Sequence, residues 1–339
     1  MAANQLVGAD VSNGYLWTAP NAQPLVWTDQ HHCSSLPFSV ATNFAGTWVA
    51  AASTVIIYST NDGDTWTEVN VSGYGSGANW VTYNATRNEF LVADEGTGDT
   101  FTSTNGSSWT RHAAATVVGV TSVGWSPASG YYLATGSALT NIYRSVDGET
   151  WTSELSFSGA GSAPFWWCFG HDADTGVDIC VMTGAIYRST DGGNSWTAAT
   201  VASSQGGTVA NLTIQSVGYN GTTWTALGYY GTGSNWGKML CLTSTDGGLN
   251  WDDNAGTLAY EHHPSYYVLF NSHPLWDGSK FWAFTNQVSL YYTSADGVTW
   301  DDDTTSNHGG RTVGLHPQPL EPGGTGLGAT QTIKLGWCP

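Results

Sequence analysis

The side chains able to hold a ligand fall in short polar clusters. They include His31 and His32 in Asp29-Gln-His-His-Cys33, the pair Arg111-His112, and Glu261-His262-His263. Farther on come His308, at the end of the run Asp301-Asp-Asp-Thr-Thr-Ser-Asn-His308, and Arg311. Imidazoles beside carboxylates can bind a divalent cation, and a guanidinium can grip a carboxylate through two parallel hydrogen bonds. Tyr229, Tyr230 and Trp236 add flat apolar faces suited to stacking on sugars or to protein recognition. No two clusters are close in sequence, so they form a site only if the fold gathers them on one face.

The elements that must do so are marked by a phrase that occurs six times. It reads Ser59-Thr-Asn61-Asp-Gly63-Asp-Thr-Trp66, Ser103-Thr-Asn105-Gly106-Ser-Ser-Trp109 and Ser145-Val-Asp147-Gly148-Glu-Thr-Trp151. It returns as Ser189-Thr-Asp191-Gly-Gly193-Asn-Ser-Trp196, Ser244-Thr-Asp246-Gly-Gly248-Leu-Asn-Trp251 and Ser294-Ala-Asp296-Gly297-Val-Thr-Trp300. A β-rich run such as Val55-Ile-Ile-Tyr58 or Ala185-Ile-Tyr187 precedes it, and another strand starts at the Trp. Strand, Asp/Asn-Gly turn, strand predicts a hairpin, because Gly supplies positive φ and Asp or Asn caps turn amides. The closing Trp carries a large apolar ring into the core.

This phrase resembles the Asp-box (BNR) repeat, S-x-D-x-G-x-T-W, of sialidases and many other β-propellers. The resemblance implies a propeller scaffold over nearly the whole chain. Trp to Trp, the copies lie 42 to 55 residues apart, room for four short antiparallel strands per unit. Upstream, Gly14–Thr18 and Leu25–Thr28 read as the last two strands of a unit whose turn has lost the phrase. Downstream, Thr312–Leu315 and Thr330–Trp337 can supply its inner strands. The expected fold is therefore an all-β, single seven-bladed propeller over 1–339. Complete blades fall near 37–70, 79–112, 121–155, 165–200, 214–254 and 266–303, and one blade is shared between 1–30 and 310–339. Closure by the two chain ends removes exposed sheet edges; six blades with a tail is the alternative.

The resemblance also implies a chemistry to look for. Sialidases hold their substrate carboxylate with three arginines from different blades, the first in an Arg-Ile-Pro type motif. This chain has no Arg-Ile-Pro. Arg144 and Arg188 each stand one residue before the phrase's Ser, a repeat position that reads as structural, and Arg87 falls in the hairpin turn 84–88. The arginine triad is not assembled, so the expectation leans away from an enzyme and no catalytic residue is nominated. No metal and no cofactor are expected either.

In such a blade the repeated turns share one rim, and the second-to-third-strand and inter-blade loops emerge opposite. The clusters named above belong to that loop face, with Asp94, Glu95 and Asp99, and loops on a rigid scaffold are where binding groups collect. A glycan- or protein-binding face is favoured over a metal site, since different blades separate the histidines around the ring.

The formal charge is −18, with eight Lys and Arg in all; this disfavours nucleic acid and anionic membranes as partners. No run approaches transmembrane length, and the N-terminus carries no signal-like segment. Five cysteines lack metal-finger spacing; Cys168 and Cys180, on neighbouring strands, are read as buried thiols, with a disulfide as the alternative. Low Lys content and a Gly/Ser/Thr/Asn/Trp/Tyr-rich surface suit a particle-borne adhesin. The expected function is a non-enzymatic binding or structural module of a bacteriophage virion (tail, fibre or capsid decoration) that contacts other virion proteins and a cell-surface glycan or receptor. The alternatives are a glycoside hydrolase, and an intracellular assembly factor.

Overall fold

The computed structural model describes residues 5–9, 15–20, 28–32, 34, 38–43, 45–71, 77–113, 119–136, 141–156, 168–202, 212–230, 239–253, 273–276, 278–284 and 291–303. Strands β1 (Gln5–Ala9), β2 (Tyr15–Pro20) and β3 (Thr28–His32) are described by their backbone. They form an antiparallel three-stranded sheet.

Six sheets built on four antiparallel strands follow in chain order, the fifth carrying one strand more. The first holds β4 (Ser39–Thr42), β5 (Trp48–Ala52), β6 (Val55–Ser59) and β7 (Thr67–Asn70), and the second β8 (Ala78–Asn84), β9 (Glu89–Asp94), β10 (Thr100–Ser103) and β11 (Thr110–His112). The third holds β12 (Val120–Trp125), β13 (Tyr132–Gly136), β14 (Asn141–Ser145) and β15 (Trp151–Ser156). In the fourth are β16 (Phe169–Asp172), β17 (Val177–Met182), β18 (Ala185–Ser189) and β19 (Thr197–Ala198). Next along the chain is β20 (Thr200–Ala202), followed by the fifth sheet, β21 (Leu212–Tyr219), β22 (Trp224–Tyr230), β23 (Met239–Ser244) and β24 (Asn250–Asp252). The sixth sheet contains β25 (Leu275–Trp276), β26 (Phe281–Phe284), β27 (Tyr291–Ser294) and β28 (Asp301–Asp303).

Every copy of the repeated phrase joins the third strand of its sheet to the fourth, where the sequence put it. The first strands meet in succession, β4 with β8, β8 with β12, β12 with β16, β16 with β21 and β21 with β25. That is the radial stacking of a β-propeller. Inner strands such as β5, β12, β13 and β17 are buried along their whole length and include small or apolar runs such as Trp48-Val-Ala-Ala-Ala52, whereas the outer strands β7, β11 and β19 are partly exposed. One buried cluster runs from Val40 and Trp48 of the first sheet through Trp80 and Trp125 to Leu275 and Trp282 of the sixth. Close stacking needs small residues on the first strands: a Cβ on Gly218 would lie 2.0 Å from the Pro274 carbonyl oxygen, and one on Gly170 2.9 Å from the Trp224 ring.

The structure revises several sequence expectations. The N-terminal sheet has three strands where two were expected, because β1 (Gln5–Ala9) precedes them, and its last strand, β3, runs from Thr28 to His32. His31 and His32 therefore stand on strand β3 instead of a loop, and Asp301–Asp303 on β28. Tyr229 and Tyr230 belong to β22 for the same reason: the hairpin ladder runs on to the pair Tyr229↔Met239. After β19 the chain does not leave at residue 200. It crosses to the fifth sheet and adds β20 parallel to β24, beginning with Thr200 N–H on the Leu249 carbonyl at 2.9 Å. Cys168 and Cys180 do meet across β16 and β17, with Val181 N–H donating to the Cys168 carbonyl at 2.8 Å, yet both are buried free thiols. Burial pushes the Cys180 thiol well up, reinforced by its bond to Cys168, and a buried thiol of that kind is inert.

Candidate functional site

The repeated turn is a closed hydrogen-bond circuit. In each copy the Ser Oγ accepts the Gly amide, at 2.9 Å for Gly63, 2.8 Å for Gly106, Gly148 and Gly297, 2.9 Å for Gly193 and 3.0 Å for Gly248. The same hydroxyl donates to the turn's Asp or Asn, as Ser244 does to Asp246 at 2.8 Å. That side chain then accepts amides from the next turn residues: Glu149 and Thr150 onto Asp147, Leu249 and Asn250 onto Asp246. The indole N–H of Trp66, Trp109, Trp151, Trp196, Trp251 and Trp300 returns to the Gly carbonyl at 2.9 to 3.2 Å. An extra residue in the copies at 59, 189 and 244 leaves the circuit intact.

The turns of the second to sixth sheets also seat on the preceding sheet. A Cβ on Gly148 would lie 2.6 Å from Leu91, one on Gly193 2.4 Å from Leu133, and one on Gly248 2.5 Å from Ile179. The residue just before the Ser supplies a clasp. Arg144 pairs with Glu154 at 3.2 Å, lies over the Tyr131 ring at 4.4 Å, and reaches the next sheet's turn at Asn194 Oδ1, 2.9 Å away. Arg188 donates to the Gly247 carbonyl of the next turn at 2.6 Å. The hydroxyl of Thr225 does the same for Gly297 at 2.9 Å.

His112, expected on the loop face, lies in such a seam. Its Nδ1 stands 3.5 Å from Glu149 of the third sheet's turn and its Nε2 2.9 Å from Thr102 Oγ1. Neighbouring residues of a strand diverge, and Arg111 turns instead to Asp99 in the second-to-third-strand loop. Its Nη2 and Nε contact Asp99 Oδ2 at 2.6 and 2.7 Å. The Arg111 side chain is 39% exposed and that of Asp99 4%, so a buried carboxylate aims a half-exposed guanidinium. Beside them Asp94 is buried by three amides, of Gly77, Gly96 and Thr97, and Glu95 accepts from Asn79 at 2.7 Å. Tyr230 is buried and donates to Asp253 at 3.0 Å, a packing role, while Tyr229 is half-buried. Trp236, Glu261, His262, His263, His308 and Arg311 lie outside the described residues. Among the described residues, no group of three or more His, Cys, Asp or Glu is placed to hold a metal.

Sequence reasoning passed over a buried pair in the fourth sheet. His171 Nδ1 and Asp178 Oδ1 are 2.8 Å apart with side chains 1% and 0% exposed, directly opposite in the ladder. The turn signal Asp172-Ala-Asp-Thr-Gly176 between them gives that register.

No family model and no curated protein matches the chain. Solved structures do match its fold. The structure of YCF48 bound to D1 peptide superposes with a TM-score of 0.51 at 16% identity, covering 84% of this chain and 89% of that one. A nidogen/laminin complex gives 0.51 at 9% identity, with 92% and 97% covered. U3-55K gives 0.54 at 9% identity, with 81% and 82% covered. At these identities the likeness speaks for the propeller fold.

Proposed function

We propose that this chain is a non-enzymatic binding propeller that uses the face opposite its repeated turns. The observation that carries this reading is how the arginines are used. Arg144 and Arg188, which a carboxylate-binding enzyme on such a scaffold would need, are spent in the seams between turns. Arg111 is a half-exposed cation aimed by a buried Asp99, on the loop side. Propellers of this fold that hold a peptide or a protein partner, YCF48 with D1 peptide and nidogen with laminin, support a protein partner here. We assign the repeated turns to the Asp-box class and place the chain on a bacteriophage virion, contacting other virion proteins through one face, with a glycan as the ligand class that exposed aromatics would suit. His31, His32, Trp236, Tyr229, Glu261, His262, His263, His308 and Arg311 remain the nominated company of Arg111.

We further propose that the ring is one seven-bladed domain closed by the chain ends. In register, β3 follows Trp27 as β7 follows Trp66, so β1 and β2 correspond to second and third strands. β1 meets β4 as β5 meets β8. The N-terminal sheet thus lacks one innermost strand, and residues 310–339 supply it.

Glycan and peptide arrays probed with the purified chain test the binding face. Binding lost in Arg111→Ala and kept in Arg144→Ala is the expected outcome. The opposite pattern, or turnover of a sialoside or β-glucan, overturns it.

A further inference from the structure

Two Asn-Gly pairs lie in described turns, Asn105-Gly106 in the second sheet's repeated turn and Asn220-Gly221 between β21 and β22; a third, Asn13-Gly14, lies outside the described residues. Such a pair can modify itself. The Gly main-chain nitrogen loses its proton and attacks the Asn Cγ, a C–N bond forms, and ammonia leaves with that proton. Water then opens the resulting cyclic imide to aspartate or to its backbone-shifted isomer. Gly has no Cβ to obstruct the approach, and Asn is among the thermolabile residues.

The two sites share the electrophile. Asn105 Oδ1 accepts the amides of Ser107 and Ser108, both at 2.9 Å. Asn220 Oδ1 accepts those of Thr222 and Thr223 at 3.0 and 2.7 Å. In each turn two main-chain donors stand ready for the negative charge that develops on that oxygen during attack, as in an oxyanion hole. Both glycines have positive φ, +74° at Gly106 and +95° at Gly221. The sites differ at the nucleophile. Gly106 N–H is held by the Ser103 hydroxyl at 2.8 Å, whereas no described residue accepts a bond from Gly221 N–H.

We propose that Asn220-Gly221 is a self-modification site of the folded protein, and that Ser103 guards Asn105-Gly106 against the same imide chemistry. The guard works by holding the attacking nitrogen on a hydroxyl. The fold tolerates aspartate at 220, since Asp172 occupies the matching turn of the fourth sheet and accepts Asp174 and Thr175 amides at 3.0 and 3.4 Å. The isomer instead adds a main-chain carbon inside the hairpin closed by Tyr219↔Trp224.

The test is peptide mapping by mass spectrometry of the intact chain aged at mildly alkaline pH, scoring aspartate and its isomer at both sites. Asn220 is expected to convert several-fold faster than Asn105. Ser103→Ala raises conversion at 105 several-fold and leaves 220 unchanged, and Ser103→Thr, which keeps the hydroxyl, restores the slow rate. Asn220→Asp melts with the native protein. Conversion at 105 as fast as at 220 overturns the proposal, and so does a Ser103→Ala variant in which 105 is unaltered or both sites rise together.

Discussion

At the scale of single residues, the carboxylates of the repeated turn show how local donors set a charge. Burial alone would raise the Asp246 carboxyl. The Asn250 amide, the Asn250 side chain, the Ser244 hydroxyl and the Leu249 amide outweigh it and hold the group at about 2, against an ordinary 3.8. Asp147, Asp191 and Asp296 are lowered in the same way. A depressed folded value means stability present above the unfolded value and lost as pH falls through the folded one. Acid unfolding followed by Trp fluorescence should therefore progress from about pH 4 toward pH 2, and Asp246→Asn should flatten its last part. A transition above pH 5 with no change in that variant would contradict the assignment. The arginine clasps belong to this scale too: Arg144→Ala should cost about 1 kcal/mol in urea unfolding, with the half-exposed Arg111→Ala costing less.

At the scale of elements, the repeated phrase made the third-to-fourth-strand hairpins legible because turn chemistry is local. Gly and Asp positions, and the strand starting at each Trp, follow from the phrase alone. What was not legible depended on neighbours in space. The extra strand β20 pairs with β24, some fifty residues later, and nothing in Thr200-Val-Ala202 announces it. Arg111 and His112 look alike in sequence, yet strand alternation sends one to Asp99 and the other to a seam. Tyr230 is an aromatic beside a Gly-rich loop, but its hydroxyl closes on Asp253 inside the sheet. Element packing gives a paired prediction. Gly218→Ala drives a methyl into the Pro274 carbonyl at 2.0 Å and should lose about 3 kcal/mol. Gly247→Ala meets nothing nearer than Arg188 at 3.8 Å and carries only its +73° φ, about 1 kcal/mol. Equal losses by denaturant titration would mean that the seams are looser than described.

At the scale of the whole molecule, the proposed binding face depends on a closed ring. Arg144 and Arg188 hold the repeated turns of the fourth and fifth sheets in seams, and the proposed division of duty between that rim and the opposite face holds only if the ring closes. The buried cluster joining Leu275 and Trp282 to Trp48 and Val40 supports closure, as does the strand count of the N-terminal sheet. Hydrogen exchange of the amides of Gln5–Ala9, in the full chain and in a chain ending at residue 303, tests it most directly. The account predicts that these amides exchange as slowly as those of β4 and β8 in the full chain and become fast on truncation. Fast exchange in the full chain, or equal rates in both, would contradict a ring closed by its own ends.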